Sequence, residues 1–140
     1  MQINYIAIIL LSIISCIIGA AWYSPALFGK IWMKIHGVFH LTKEEQIVRS
    51  KGMWKLILAE FIATLIINYF LYLAVVGVSS IEFAYGTVLL LWFGFILPTI
   101  TSSVLWGNDE KRFMLKKIAI SATSRLVLLL TSATVFYLWR

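Results

Sequence analysis

A chain of 140 residues that is 61% hydrophobic and only 13% charged is too apolar for water, since a soluble domain carries about 25% charged residues and one this small exposes much of its surface. Its 12 Lys and Arg against 6 Asp and Glu leave a net charge of +6, but the cations fall between apolar runs, which is membrane topology and not a nucleic-acid surface. The single cysteine, Cys16, excludes a disulfide framework.

Met1 to Asn4 lack a basic n-region, and the apolar run behind them is too long for an h-region, so the first segment reads as a retained span. Crossing about 30 Å of hydrocarbon takes about 20 helical residues. Four stretches meet that requirement: 3–22, 56–78, 83–106 and 118–139. Lipid offers no partner to an unpaired backbone group, so each must be helical. Continuous runs without alternation exclude a β-barrel. The expected fold is all-α: an integral membrane four-helix bundle, one domain over 1–140, with a short interfacial amphipathic helix after the first span.

The first span ends in "GAAWYSPALFGKIWMK", residues 19–34. Gly19 belongs to a close-packing face, and Trp22 and Tyr23 to an interfacial belt. Ser24 followed by Pro25 predicts a capped helix start, opening a cytoplasmic interfacial helix over 25–36. Leu27, Phe28, Ile31, Trp32 and Ile35 share its apolar face, with Lys30 and Lys34 on another. Its N-terminus, with lysines nearby, suits a lipid phosphate or another anion. Ser24, Pro25, Lys30 and Lys34 are therefore a candidate headgroup site, and a purely structural elbow is the plainer alternative. Thr42-Lys43-Glu44-Glu45 fits a capping box, predicting a second short helix over 43–52 that leads toward the second span.

These residues, "WYSPALFGKIWMK" followed by Thr-Lys-Glu-Glu, resemble the signature of the domain of unknown function 1761 family of small bacterial membrane proteins. The resemblance implies a four-helix membrane protein over nearly the whole chain and no established activity. It also implies a histidine in the last span where this chain has Arg125, within "SATSRLVLL", so any role that depends on a titrating imidazole there is lost.

The loops orient the bundle. The first carries Lys30, Lys34, Lys43, Arg49, Lys51 and Lys55, and the third Lys111, Arg112, Lys116 and Lys117. The second has Glu82 and no cation, and the C-terminus has Arg140 alone. Positive charge stays inside, so both termini are expected to face outward from an inner (cytoplasmic) membrane. Trp22, Tyr23, Trp32, Trp54 and Trp106 then mark the inner boundary, and Tyr5, Phe83, Tyr85, Tyr137 and Trp139 the outer one. Trp92, well inside the third span, is expected to pack against protein.

Each span also carries a small or polar stripe: Asn4, Ser12, Cys16 and Gly19; Glu60, Thr64, Asn68 and Tyr72; Thr87, Gly94, Pro98, Thr101 and Ser102; Ser121, Arg125, Leu128 and Ser132. Such stripes let membrane helices approach closely. Within the spans, Glu60 and Arg125 are the ionisable groups lying well inside, and an intramembrane charge costs about 2.5–3.5 kcal/mol. They lie five and eight residues past Lys55 and Lys117, roughly 7 and 12 Å deep. The arginine side chain reaches across that difference. An intramembrane Glu60–Arg125 pair is expected, with Asn68, Ser121 or Ser124 as further partners. Pro98 is expected to kink the third span and strip the Gly94 carbonyl of its donor, with Thr101 or Ser102 compensating.

His36 and His40 are four apart, but Gly37 breaks the helix between them and no thiol completes a metal set. GxSxG, HExxH, P-loop and CxxC motifs do not occur. No catalytic residue, metal or cofactor is expected. The partners expected are membrane lipid and further copies of the chain, without nucleic acid. The leading functional expectation is a non-enzymatic oligomeric bundle whose Glu60–Arg125 site serves solute or ion passage, or assembly. A lipid-interacting scaffold is the alternative, and a membrane-embedded lipid-modifying enzyme the third class.

Overall fold

The computed structural model describes residues 3–38, 40–107 and 110–139, with every side chain among them except that of Arg49. The expectations for Met1, Gln2, Arg140 and the Arg49 side chain lie outside the described residues. Every regular element that is described is helical: α1 (Tyr5–Trp22), α2 (Gly29–Ile35), α3 (Lys43–Ser50), α4 (Met53–Val75), α5 (Ile81–Leu91), α6 (Leu97–Leu105) and α7 (Met114–Leu138). A π turn, Trp92–Ile96, joins α5 to α6, and a 3-10 turn, Lys111–Phe113, leads into α7. Four helical units, Tyr5–Trp22, Met53–Val75, Ile81–Leu105 and Lys111–Leu138, are long and apolar enough to cross a membrane.

Local chemistry sets several ends. Asn4 accepts the Ala7 N–H at 3.0 Å to start α1. Thr42 and Glu45 form the reciprocal capping box of α3. The Thr42 backbone N–H and hydroxyl hold the exposed Glu45 carboxyl below its ordinary range. A carboxyl depressed in this way supports the helix above its unfolded pKa and loses that support as pH falls through the lower folded value. Thr42→Ala, which removes the hydroxyl and keeps the backbone N–H, is expected to move Glu45 titration part of the way up toward the ordinary carboxylate range and speed amide exchange at the start of α3, both readable by NMR. Gly52, at φ +86°, takes the left-handed conformation that glycine tolerates, so α3 stops before α4 rather than running into it.

The chain alternates direction through the bundle, and α7 is its centre. α1, α4 and α7 pack mutually, α5 packs on α7 and α4, and α6 packs on α7. Side chains fix the registers. Trp22 Nε1 donates to the Ile120 carbonyl at 3.2 Å, and Trp92 Nε1 to the Ala122 carbonyl at 2.8 Å. The Tyr85 and Thr134 hydroxyls hydrogen-bond at 2.9 Å. Trp92 thus packs against protein, against α7.

The core occupies the half of the bundle away from α2 and α3. Ala7, Ile8 and Leu11, Leu71, Tyr72 and Val75, Ala84 and Val88, and Leu129, Ala133 and Phe136 form one buried cluster. Tyr72 and Phe136 meet edge to face at 5.2 Å, a favoured aromatic geometry. On the outside, large apolar side chains such as Leu56, Ile66, Phe70, Leu90 and Phe93 are exposed. An apolar belt this broad has no place in water.

Two expectations are corrected here. The third span does not bury the stripe Thr87, Gly94, Pro98, Thr101 and Ser102: Gly94, Pro98 and Ser102 are exposed, and Thr87 and Thr101 are only half-buried. Its interior face runs Ala84, Val88, Trp92, Ile96 and Val104. Positions four apart drift around an α-helix, and the wide π turn, in which the Leu97 N–H reaches back to the Trp92 carbonyl, returns them to one face. Pro98 falls in the first turn of α6, where a missing N–H is tolerated. The neighbouring hydroxyls serve other carbonyls than that of Gly94: Thr99 donates to Phe95 O at 2.6 Å and Thr101 to Leu97 O at 2.8 Å.

Asn68 is the second correction. It does not reach the ion pair but donates from Nδ2 to Ser12 Oγ of α1 at 3.0 Å, and Ser12 donates in turn to the Ile8 carbonyl at 2.8 Å. Both residues are buried. Asn68→Ala is expected to destabilise the bundle by about 1–3 kcal/mol, because it strips a buried hydrogen bond and leaves a void. Thermal unfolding in detergent micelles reads this directly.

Candidate functional site

Glu60 projects from α4 and Arg125 from α7, and Arg125 Nη2 donates to Glu60 Oε1 at 2.8 Å. The two side chains are 52% and 35% exposed respectively, so they face open space rather than a closed core. That space is a cavity of about 840 Å³, within the range of small-molecule sites. Its walls are Ser15, Cys16, Gly19 and Ala20 of α1, Leu56, Ile57 and Thr64 of α4, Ile100, Ser103 and Val104 of α6, and Lys117, Ser121, Ser124 and Leu128 of α7. Tyr23 and Trp32 line its mouth at the α2 end. The cavity therefore fills the half of the bundle that the apolar core leaves open. Ser121 and Ser124 line it beside the pair, whereas Asn68 lies beyond it.

The mouth is shaped by the turn between α1 and α2, which differs from the capped restart expected at Ser24 and Pro25. Ser24 does not cap α2. Its hydroxyl donates back to the Ala21 carbonyl at 2.7 Å, and its own carbonyl accepts the Gly29 N–H at 2.8 Å. Pro25 sits in the turn, and α2 begins only at Gly29, with Phe28 at its cap and no side-chain hydrogen bond there. Serine satisfies a helix C-terminus here because the chain folds back instead of restarting. Of the candidate anion site at Ser24, Pro25, Lys30 and Lys34, the helix start is therefore misplaced: Pro25 is no first helical residue, and both lysines are exposed on a seven-residue helix that begins at Gly29.

Gly29 makes the fold-back possible. A Cβ there would clash with the Tyr23 carbonyl oxygen and stand 2.6 Å from that of Ser24. Gly19, by contrast, has nothing within 4 Å of the same position, so close packing does not explain it. Phe28 and Trp32 turn inward while Leu27 and Ile31 face out. Trp32 packs between the tilted rings of Tyr23 at 4.7 Å and His36 at 4.5 Å, and Lys117 Nζ lies 5.9 Å from its ring centroid, within cation–π reach. Sequence spacing carried no sign of this contact between α2 and α7.

Compared with curated proteins and with solved structures, the chain matches none. A family model described as "Protein of unknown function (DUF1761)" matches residues 6–137. The chain belongs to the DUF1761 family. The match covers the first residues of α1 through the last turn of α7, so in this DUF1761 protein the cavity and its mouth lie wholly inside the family's domain. Among the described residues of this DUF1761 protein, no three His, Cys, Asp or Glu side chains come together as a metal site.

Proposed function

We propose that this chain is a non-enzymatic, multi-pass protein of the inner membrane, with both termini outside, that receives a solute or ion at the Glu60–Arg125 site. The observation that carries this reading is the division of the bundle into a filled half and a hollow half. One end is packed by Tyr72, Phe136 and their neighbours, and the other holds an ion-paired cavity beside the basic loops. A site open toward one end and sealed at the other suits binding and handover better than a continuous pore. Four helices surround little volume, so assembly of several copies about a shared axis completes the proposal.

Cys16 lines the cavity and is the only thiol in the chain, which makes it a native reporter. A membrane-impermeant thiol reagent is expected to modify Cys16 from the side of the basic loops at least about tenfold faster than from the other side, the span of a ~1.4 kcal/mol difference in access. Intact spheroplasts and inverted membrane vesicles present the two sides. Equal reactivity from both sides, or none from either, refutes a one-sided site.

A further inference from the structure

The cavity has a flank as well as a mouth. At the packed end of the bundle α4 lies against α5, but beyond the π turn α6 packs on α7 rather than on α4. The cavity walls on these two helices are Leu56, Ile57 and Glu60 of α4 and Ile100 and Ser103 of α6. All but Ile100 are exposed. An exposed flank at span depth is turned to lipid, so an amphiphile already in the bilayer has a way in between α4 and α6.

The polar part of the cavity is unfinished. Thr87, Thr99, Thr101, Thr131 and Thr134 each donate to a carbonyl one turn back, the local bond by which a hydroxyl inside a helix is satisfied. Ser15, Thr64 and Ser124 line the cavity and are only 5%, 6% and 4% exposed, yet their hydroxyls bond to no other group among the described residues. Thr64 stands one turn from Glu60, and Ser124 is next to Arg125. The ion pair itself is held by a single contact, Nη2 to Oε1, which leaves Glu60 Oε2 and further guanidinium donors for a ligand.

Charge decides which head fits. Glu60 and Arg125 sum to zero, so a permanently charged head of either sign adds a net charge at span depth, where it is costly. A carboxylic acid brings its own proton. We propose that the cavity binds a single-chain carboxylic acid of the fatty-acid type, taken from the bilayer between α4 and α6. This assignment rests on the cavity being the functional site and names what it receives. The acid enters neutral. Its O–H bond breaks as the proton passes to Glu60 Oε2, and the new carboxylate takes the place of Glu60 on Arg125, with Thr64 and Ser124 donating to it. The proton is conserved and the charge of the cavity is unchanged, whatever Lys117 at the Trp32 ring contributes. Carboxylic acids titrate within about one pH unit of one another in water, so the exchange is between near equals. Arg125 is never left unpaired, the state that costs most.

The full-length protein in phosphatidylcholine nanodiscs supplies the test, through the rate at which a neutral water-soluble maleimide modifies Cys16. A Cys16→Ser, Lys111→Cys chain, labelled at an exposed position, corrects for effects of additives on the reagent. Dodecanoic acid at about ten times its Kd leaves roughly one cavity in eleven open and is expected to slow the Cys16 reaction about tenfold. Dodecanol and dodecyltrimethylammonium are expected to leave the rate unchanged. Thr64→Val keeps the side-chain shape and breaks no hydrogen bond, so unfolding of the free protein should not change. The dodecanoic acid needed for half-protection should rise about fivefold, the effect of one lost hydrogen bond.

The pH dependence reads the proton. Above the pKa of dodecanoic acid in the same nanodiscs, wild-type affinity is expected to fall about tenfold per pH unit, because the complex holds one proton more than free protein and carboxylate. Glu60→Gln cannot take that proton and binds the carboxylate on Arg125 directly, so its affinity should not fall. The other titratable walls, Cys16 of α1, Lys117 of α7 and Tyr23 at the mouth, are common to both chains, and α6 contributes none to the lining. No protection by dodecanoic acid, equal protection by dodecanol, or stronger protection by dodecyltrimethylammonium overturns the carboxylic-acid assignment while the one-sided cavity stands. Unchanged protection in Thr64→Val, or one pH dependence for wild type and Glu60→Gln, overturns it as well. If Cys16 does not react in ligand-free protein, the cavity is closed and both readings fail.

Discussion

Glu60→Leu alone is expected to destabilise the bundle by about 1–3 kcal/mol, and adding Arg125→Leu to recover most of that loss. The reason is asymmetric. With its carboxylate gone, the Arg125 guanidinium keeps its charge and stands unpaired at span depth, where a lone charge is expensive. Breaking a fully buried pair costs about 3–5 kcal/mol, but a pair exposed in an open cavity is partly solvated and contributes less, hence the lower range. Removing both partners leaves aliphatic side chains in a cavity whose surface is mostly apolar, and replacement of a pair by apolar groups is often neutral. The measurement is a double-mutant cycle on unfolding in mixed micelles. Additive single losses, with no coupling, would mean that the 2.8 Å contact contributes nothing to the fold. Recovery in the double variant together with loss of one-sided Cys16 reactivity would assign the pair to the site rather than to stability.

Gly29→Ala is expected to cost about 2–3 kcal/mol, the scale of overpacking a site that cannot yield, while Gly19→Ala stays within about 0.5 kcal/mol of wild type. At Gly29 the obstructing atoms are the backbone carbonyls of Tyr23 and Ser24, so no side chain can rotate away. The turn must open, taking with it the Gly29–Ser24 hydrogen bond and the seat of Trp32 against Tyr23 and Lys117. The same variant should therefore raise Cys16 reactivity, because Trp32 and Cys16 line the same cavity. Gly19 faces open space, and a helical alanine there even improves propensity. A destabilised Gly19→Ala and a neutral Gly29→Ala, read by unfolding and by thiol reactivity, would reverse the argument.

The contrast between these two glycines marks how far residue order alone reaches. Both sit in the same stretch, and local sequence treats Gly19 as the packing residue because it lies in an apolar run. The constraint on Gly29 comes from a chain reversal that brings carbonyls five and six residues earlier onto its Cα, and no periodicity encodes that. The same holds at Ser24, whose pairing with Pro25 reads as a helix start while its hydroxyl actually closes the preceding helix. Within the third span, four-residue steps point to the stripe through Gly94, whereas packing puts Ala84, Val88 and Trp92 inside, and the π turn at Trp92–Ile96 brings Ile96 and Val104 back onto that face. Asn68 illustrates a different limit. Its four-residue step from Glu60 and Thr64 puts it on the right face, but the next helix over, not the ion pair, supplies its partner.

By itself the sequence determined that the chain is all-helical, that four segments are long and apolar enough to cross a membrane, and that the residues of a DUF1761 protein are present. Those properties follow from the length of apolar runs and from backbone groups that must pair internally. It also singled out Glu60 and Arg125, because charge inside such runs is costly enough to be conspicuous. Only the tertiary structure decided that α7 lies at the centre, that one half of the bundle is filled and the other hollow, and that Trp32 of α2 packs beside Lys117 of α7. Those depend on contacts between residues far apart in the chain: Trp22 with Ile120, Asn68 with Ser12, Trp32 with Lys117. Each element could satisfy its own backbone in many arrangements, so the choice among them belongs to side chains meeting across the bundle, where shape and hydrogen bonding discriminate and sequence spacing does not.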